Sequence, residues 1–412
     1  MDARVVTDRA AGGQVESTYA WLRLVASTGI GTVGCIGMWS YVVALPAVQA
    51  DLGGTRAEVS LPFAASMVGF GIGCLLLGRL VDRIGIVVPI AGAAVLMGLG
   101  YIAVGLSANL WQLALAHAAL IGFGSSACFG PLVADLSHWF SRRRGLAVAI
   151  CGCGNYLSGV IWPPIIQHFI ATDGWRAAHV YIGIVCIVAI LPLVLVLRRP
   201  APLESRVADG TSARDARAAV GLSPGMLQAL LAVAGLACCV AMAMPQVHIV
   251  AYCGDLGYGP ARGAEMLSLM LAFGLPSRLA CGFIADRIGG VATLLISSAL
   301  QAVALTLYLG FDSLTSLYVI SALFGLFQGG LVTTYAIIVR EYFAPEEAAT
   351  RLGGILMATT IGMALGGWMS GAIFDLTGSY HAAFANGLVW NFLNLAIAAW
   401  IILRRERRLA LA

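Results

Sequence analysis

Residues 78–86 read GRLVDRIGI, and residues 282–290 read GFIADRIGG. Both stretches fit the frame G-x-x-x-D-R-I-G, and they begin 204 positions apart (282 minus 78). The chain has 412 residues, so the second copy lies about half a chain length after the first. A repeat at this distance raises the question of whether the whole chain is duplicated.

Three further pairs of stretches recur at nearly the same distance. LIGFG at 120–124 is similar to LFGLF at 323–327, and HWF at 138–140 corresponds to EYF at 341–343, both at an offset of 203. DGWRAA begins at 173, and TGSYHAA begins 204 positions later, at 377. Four matches at one offset predict an internal duplication into two similar halves.

The composition places the chain in a lipid bilayer. Hydrophobic residues make up 60% and charged residues only 11%, whereas soluble domains carry about 25% charged residues. A helix needs roughly 20 apolar residues to cross the hydrocarbon core. Twelve apolar runs meet this requirement, which predicts an all-α membrane protein with twelve transmembrane helices. The runs are 22–48, 59–81, 86–106, 110–136, 145–170, 177–197, 225–252, 264–285, 289–310, 314–339, 352–375 and 381–403.

The longest polar interruption divides the twelve runs into six and six. We interpret this interruption as a linker between two halves because it is charged and flanked by prolines. The first 20 residues are polar and have no apolar core, so they predict a tail and not a signal peptide. The predicted order is a cytoplasmic tail at 1–20, a six-helix bundle at 21–198, a linker at 199–224, a six-helix bundle at 225–404 and a tail at 405–412.

Arginine sets the predicted orientation. The chain has 24 basic residues, all of them Arg. With the N-terminus inside the cell, 20 of these 24 fall on the inner side and only Arg56, Arg176 and Arg262 on the outer side. Positive charge in short loops favours the cytoplasm. Both termini are therefore predicted to be cytoplasmic, in the inner (plasma) membrane.

The repeated loop resembles the signature between the second and third helices of the major facilitator superfamily. Two parallel six-helix repeats are the layout of that superfamily. The resemblance implies a secondary transporter that works by alternating access. It also implies that Asp82, Arg83, Asp286 and Arg287 form a cytoplasmic gating network. The alternative is that these charges only fix the topology, and the basic residues that usually follow are absent here.

A longer stretch narrows the resemblance. HWFSRRRGLAVAICGCG at 138–154 is similar to the helix 4–5 region of the monocarboxylate and oxalate–formate transporter families. GTRAEVSLPFAASMVGF at 54–70, WPPII at 162–166 and FDLTGSYHAAF at 374–384 fit the bacterial members. The resemblance implies small organic monocarboxylates as substrates, with proton coupling. The alternatives are anion exchange of the oxalate–formate type and export of amphipathic compounds.

Arg278 is the candidate with the clearest physical argument. It lies eight residues before Asp286, or roughly 12 Å inside the membrane at about 1.5 Å per residue. An arginine there costs about 2.5–3.5 kcal/mol, so it needs a partner, and its planar fork fits a carboxylate. The resemblance also implies a substrate-binding arginine in helix 8. Relatives often carry an acid one turn earlier, at the position of Gly274, or a lysine elsewhere. Neither the acidic residue nor the lysine is present, so the predicted site holds a single cation, which favours a monoanion as the substrate. The alternative is structural: Arg278 binds backbone carbonyls and no substrate.

Six other polar or aromatic residues in the predicted helices are candidates for substrate binding. His117 could carry a proton, since imidazole titrates near about pH 6.5. For each of the six, helix packing stays an equal or stronger alternative. They are Trp39, Tyr41, His117, Asn155, Gln328 and Tyr335.

Other functions find little support in the sequence. Cys151 and Cys153 form a C-x-C without His or carboxylate neighbours, which favours helix packing over a metal site. GIGTVG at 29–34 lies inside an apolar run and not between a strand and a helix, so it predicts no dinucleotide site. No hydrolase, metalloprotease or Walker A motif is present. We therefore expect no enzyme activity, no cofactor, no metal and no nucleic-acid partner. The expected partners are a monocarboxylate, a proton or counter-anion and the lipid bilayer, and the protein is expected to be a monomer.

Overall fold

The computed structural model describes residues 16–140, 142–199 and 220–411. Within these residues, eleven helical stretches are long and apolar enough to cross a membrane. One of them, Gly145–Leu195, has 51 residues and would be roughly 75 Å long if straight, about two and a half times the thickness of the bilayer core. It is divided at Gly174, whose φ of 83° and ψ of 162° are not helical. The described residues thus form twelve spans, α1 to α12, and the predicted fold class is confirmed.

Apart from the segment between Leu195 and Pro224, short connections join the twelve spans. Their bounds are α1, Thr18–Gly34 with Ile36–Leu52; α2, Arg56–Ile84; α3, Val87–Gly105; α4, Leu110–Ala116, His117–Gly122, Phe123–Ala127 and Gly130–Leu136; α5, Arg144–Gly152 with Gly154–Leu195 as far as Gly174; α6, the remainder of Gly154–Leu195; α7, Pro224–Asp255; α8, Pro260–Ile288; α9, Gly290–Gly310; α10, Leu314–Gln328 with Leu331–Tyr342; α11, Pro345–Thr377; and α12, Tyr380–Leu411.

The duplication is visible in the helix boundaries. α2 and α8 both have 29 residues, and they begin at Arg56 and Pro260, 204 positions apart. Each is followed by a glycine of the repeated motif, Gly85 with φ 79° and Gly289 with φ 84°. Glycine enters this left-handed region without the steric penalty of a Cβ. The glycine that ends the D-R-I-G frame therefore ends the helix in both halves.

A second repeated feature is the close crossing of α2 with α4 and of α8 with α10. A Cβ added at Gly122 would collide with the carbonyl oxygen of Ser66, and one added at Gly325 would collide with that of Met270. Both glycines belong to the LIGFG and LFGLF stretches. Small residues let helix backbones approach closely in membranes, so these stretches recur because the same crossing is built twice.

Polar caps mark several helix starts at the membrane surface. Thr55 and Glu58 form a reciprocal capping box at the start of α2. The side chains of Asn109, Ser223 and Ser313 accept backbone N–H groups at the starts of α4, α7 and α10. Such caps satisfy amides that have no partner inside the helix, and they explain why the apolar runs begin where they do.

Four spans are interrupted near their middle. α1 is broken at Cys35, α4 at Cys128 and Phe129, α5 at Cys153, and α10 at Gly329 and Gly330. In addition, α4 contains a π-helical turn at His117–Gly122. Broken spans expose backbone carbonyls that a regular helix would use internally, and one of them, at Gly329, contributes to the site described below.

The boundaries differ from the sequence prediction at the tails. α1 begins at Thr18, so the predicted tail at 1–20 is helical in its last three residues. α12 continues to Leu411, through the predicted tail at 405–412, because its arginine-rich end keeps helical propensity after leaving the apolar region. Most of the predicted linker at 199–224 lies outside the described residues.

The two halves meet along three pairs of spans. α2 packs against α11, α5 against α8, and the second segment of α1 against α7. Since an even number of spans returns the chain to its starting side, both ends share one face with the two D-R-I-G turns. We call this the terminal face. The opposite face, which holds the turns at 53–55, 256–259 and 378–379, is called the distal face.

Candidate functional site

Arg278 lies where α8 of the second half crosses α5 of the first. Its Nη1 donates a hydrogen bond to the carbonyl oxygen of Gly152 at 2.7 Å. Its Cζ lies 4.3 Å from the centroid of the Tyr156 ring, a distance at which an aromatic face attracts a cation. Its Nε is buried without a hydrogen-bond partner, and no carboxylate among the described residues pairs with it. The guanidinium therefore keeps its charge and a free donor.

Tyr156 connects this arginine to α10. Its hydroxyl donates to the carbonyl oxygen of Gly329 at 2.9 Å, at the break of α10. That carbonyl is accessible because the helix stops at Gln328. The Tyr156 ring thus contacts α8, and its hydroxyl bonds to α10. Because Tyr156 belongs to the first half and α8 and α10 to the second, both contacts connect the two halves.

Three more predicted residues are connected to Tyr156 or to Gly329, by a contact or by a neighbouring position in the chain. The indole N–H of Trp39 donates to the backbone carbonyl of Asn155 at 3.4 Å, and the side-chain Oδ1 of Asn155 is buried without a partner. Gln328, one residue before Gly329, is fully buried, and neither its oxygen nor its nitrogen has a partner. Buried amides without partners are uncommon, so each of these two side chains has hydrogen-bonding capacity that no described residue uses.

We use the name interface site for the residues that these contacts, or neighbouring positions in the chain, connect to Arg278: Trp39, Asn155, Tyr156, Arg278 and Gln328. It contains one cation, no carboxylate, two aromatic rings and unsatisfied amide groups. Such a set can bind a small anion through charge-assisted hydrogen bonds.

His117 and Tyr41 lie elsewhere, in the core of the first half. Both are buried, their rings are 5.0 Å apart, and the Tyr41 hydroxyl donates to the carbonyl of Val59 at 2.6 Å. A second buried imidazole, His179, lies 6.3 Å from His117. These contacts favour helix packing for Tyr41, the alternative that the sequence left open. His117 has no partner for either ring nitrogen, but its ring contacts belong to the first half.

Tyr335 also belongs to a bundle core, that of the second half. It is fully buried, and its hydroxyl donates to Oδ1 of Asn394 at 3.1 Å. The amide of Asn394 in turn donates to the hydroxyl of Ser298 at 2.6 Å. This chain of hydrogen bonds joins α10, α12 and α9, so Tyr335 stabilises helix packing and is not part of the interface site.

The predicted gating residues lie at the terminal face. Arg83, Asp286 and Arg287 are exposed, and none has an ion-pair partner among the described residues. The side chain of Asp82 lies outside the described part. The carboxylate at the start of α9 belongs to Glu341, which accepts the N–H of Gly290 at 2.8 and 3.0 Å, and not to Asp286. Glu341 can reach this amide because it lies in the last turn of α10, next to the turn between α8 and α9. Asp286 is still within the last turn of α8.

At the distal face, charged groups join the two halves. Nη2 of Arg56, at the start of α2, donates to both oxygens of Asp255, each at 2.9 Å. The carboxylate of Asp375, at the end of α11, accepts the backbone N–H groups of Arg56 and Ala57, each at 2.8 Å. We call Arg56, Asp255 and Asp375 the distal lock. Of the ion pairs that the described residues form, only Arg56–Asp255 connects the halves.

Sequence reasoning missed Tyr156, Glu341 and the distal lock. Tyr156 directly follows the candidate Asn155 and lies four residues after Gly152, so a helical-spacing argument could have found it. Glu341 begins the EYF stretch, and its place beside a predicted turn was a signal. Nothing in the sequence connects Arg56 to Asp255 and Asp375, which lie 199 and 319 positions away.

Comparison with known proteins places this architecture in a family. The sequence profile of the Major Facilitator Superfamily matches residues 28–305 and 231–411, which together span nearly the whole chain. The chain belongs to the major facilitator superfamily. Within the superfamily it is similar to monocarboxylate transporter 13 of Bos taurus, with 29% identity over 303 residues, covering 70% of this chain and 67% of that protein. The resemblance noted from the sequence is therefore confirmed at the level of the family.

Two other relatives show the range of the superfamily. The agnestins efflux protein AgnL12 of Paecilomyces divaricatus is 25% identical over 329 residues, covering 77% of this chain and 72% of that protein. A crystal structure of a bacterial homologue of the human lysosomal transporter Spinster, in an inward-facing and occupied conformation, matches with a TM-score of 0.65 and 16% identity. It covers 94% of this chain and 95% of that chain, and it supports the fold.

Proposed function

We propose that this chain is a secondary transporter of small organic monocarboxylates that works by alternating access, with Arg278 binding the substrate carboxylate. One observation carries the proposal: a guanidinium between the two halves has a free donor and no carboxylate partner among the described residues. Arg278 is partly buried, and a charge held away from water without a counter-charge is costly. A substrate anion that enters the interface site would lower this cost, and it would do so in contact with both halves.

The surroundings of Arg278 favour a monoanion with a small apolar body. The interface site supplies one positive charge, so a second carboxylate would have no cation to pair with. Trp39 and Tyr156 offer apolar faces for the rest of the substrate, and Asn155 and Gln328 offer hydrogen bonds. The similarity to a monocarboxylate transporter supports the same class of substrate.

Coupling and orientation belong to the same proposal. We place both termini in the cytoplasm, from the arginine distribution, so that the terminal face is the inner face of the plasma membrane. We propose that a proton moves with the acid. Since the interface site contains no histidine or carboxylate, the proton travels on the substrate or through a group outside this site. Exchange against a second anion is the alternative.

The test is uptake into proteoliposomes of a panel of labelled acids, such as acetate, lactate, pyruvate and benzoate. Arg278→Gln is expected to weaken binding at least a hundredfold, because breaking one side of a buried ion pair costs about 3–5 kcal/mol. Arg278→Lys should restore little, since an ammonium lacks the planar fork. A pH gradient should drive uptake if a proton is coupled, whereas internal unlabelled acid should drive it if the protein exchanges anions.

Arg262→Gln provides the matched control on the same helix. Arg262 is exposed at the distal end of α8 and pairs with Glu265 one turn away, so its loss removes an equal charge far from the interface. Near-native affinity of Arg278→Gln, with normal membrane insertion, would refute the carboxylate site.

Export of amphipathic compounds is the second candidate. The similarity to a fungal efflux protein favours it, as does the hydrogen bond from Arg278 to the Gly152 carbonyl, which is what a structural arginine would make. This function predicts that transport of an amphipathic, uncharged dye survives Arg278→Gln while uptake of every acid in the panel is absent in the wild type.

A further inference from the structure

Gly274 lies one helical turn before Arg278, on the side of α8 that faces α5. A Cβ added at this glycine would lie 2.7 Å from Cδ1 of Tyr156 and closer still to Cε1. Real Cβ atoms do not approach other heavy atoms so closely, so the ring of Tyr156 occupies the space that any side chain at position 274 would need. Glycine at 274 and tyrosine at 156 are therefore a matched pair.

The ring that fills this space also lies against the Arg278 guanidinium, at 4.3 Å from its Cζ. An aromatic face attracts a cation but does not neutralise it. A carboxylate in the same place would form an ion pair with Arg278 and compete with any incoming anion. The Tyr156–Gly274 pair thus fixes the guanidinium and leaves its charge available.

The hydroxyl of Tyr156 adds a connection to the other half of the molecule. It donates to Gly329 at the break of α10, and Arg278 donates from α8 to Gly152 of α5. α5 belongs to the first half, and α8 and α10 belong to the second. The position of the guanidinium is therefore determined only while α5, α8 and α10 are together.

We propose that Tyr156 is the positioning residue for Arg278. It holds the guanidinium for a substrate carboxylate with the face of its ring, in a space that Gly274 keeps open, and its hydroxyl links the anion site to the contact between the halves. This inference rests on the proposed function, because it assigns Tyr156 a role that acts through Arg278.

The first experiment compares Tyr156→Leu with Tyr156→Phe, using the labelled monocarboxylate of the panel with the highest affinity for the wild type. Tyr156→Leu removes the ring, and we expect a loss of affinity of about tenfold. Tyr156→Phe keeps the ring, so affinity should stay within about twofold, while the maximal rate changes because the link to Gly329 is lost. Tyr101→Phe, which removes a buried hydroxyl bonded to Ser40 inside the first half, should change neither. Equal losses of affinity in Tyr156→Leu and Tyr156→Phe would overturn the role of the ring.

The second experiment uses the glycine. Gly274→Ala should displace the ring and weaken binding about as much as Tyr156→Leu, and combining the two should add nothing further. Gly282→Ala is the control on the same helix, since a Cβ there meets nothing within 4 Å. Full affinity in a correctly inserted Gly274→Ala would contradict the matched pair, and if this variant fails to insert, the Tyr156 series decides alone.

A double-mutant cycle separates this inference from the proposed function. If Tyr156 acts through Arg278, Tyr156→Leu should have no effect on affinity in an Arg278→Gln background. An undiminished effect there, or no effect of Tyr156→Leu in the wild type, would refute the positioning role while leaving the carboxylate site intact. If Arg278→Gln alone changes nothing, the proposed function itself fails.

Discussion

The distal and terminal faces of this transporter hold the two halves in different ways. At the distal face, a guanidinium, two carboxylates and two backbone amides join α2 to α7 and α11 through the distal lock. At the terminal face, the charges of the repeated D-R-I-G motif that the structure describes are exposed and unpaired. Charged contacts therefore join the halves on the distal side, and these charges are not those of the motif.

The difference has a physical consequence for alternating access. Opening the distal face must break the Arg56–Asp255 ion pair and remove Asp375 from the first two amides of α2. The capping box of Thr55 and Glu58 lies entirely within α2, so the helix end stays capped after the halves part. In the proposed cycle, we expect the motif charges to contribute in the other state, when the terminal face closes.

Arg56→Gln should have the largest effect on the ratio of closed to open conformations at the distal face. The Arg56 side chain is 9% exposed and that of Asp255 is 37% exposed, so the pair is only partly buried. Its loss should cost about 2 kcal/mol, between the values for surface and buried pairs, which shifts the closed-to-open ratio at the distal face roughly thirtyfold. The measurement is the distance between fluorescent unnatural amino acids at positions 53 and 257, on opposite halves of the distal face.

Arg176→Gln is the control for this prediction. Arg176 also pairs with an aspartate at the distal face, but its partner Asp51 belongs to the same half. The distance between the two probes should not change in this variant. Equal opening in both variants would mean that the distal lock acts only through general surface charge.

Asp375→Asn should also favour opening of the distal face, but by less than Arg56→Gln. The asparagine loses the negative charge that α2 favours at its N-terminus and one of two acceptors, at a cost of about 1 kcal/mol, or roughly fivefold in the closed-to-open ratio. Glu58→Gln changes a carboxylate at the same helix end but within one half, and it should leave the probe distance unchanged. A larger shift for Asp375→Asn than for Arg56→Gln would reverse the ranking of the two contacts.

The two faces also differ in how far the sequence could predict them. The D-R-I-G turns were found because duplication repeats them, and in the structure both helices end directly before the motif glycines Gly85 and Gly289. The distal lock has no counterpart in the repeat: an offset of 204 from Arg56 leads to Pro260, which has no charge. A contact that exists in only one copy, between residues far apart in sequence, leaves no pattern along the chain.

The interface site shows a similar limit. The depth of Arg278 was predicted by counting residues, and the structure adds that Arg278 lies between the two halves. The rotation of each helix about its axis did not follow, because successive residues point about 100° apart and every side of these spans is apolar. Tyr41 and Tyr335 consequently lie in the bundle cores, while Tyr156, which the sequence reading did not single out, lies beneath the guanidinium.

Asp286→Asn should have the smallest effect on the closed distal state and a distinct effect on transport. Asp286 is exposed in α8 and forms no ion pair with described residues, so its neutralisation should leave the probe distance and substrate affinity unchanged, within the range of about 0.5 kcal/mol typical of surface substitutions. Turnover should fall severalfold, since the carboxylate can interact only when the terminal face closes in the next step of the cycle. Measuring affinity and turnover in the same proteoliposomes separates the two effects. Unchanged turnover would assign the motif a role in membrane topology alone, and the distal lock would then be the only gating contact for which the molecule provides a structural basis among its described residues.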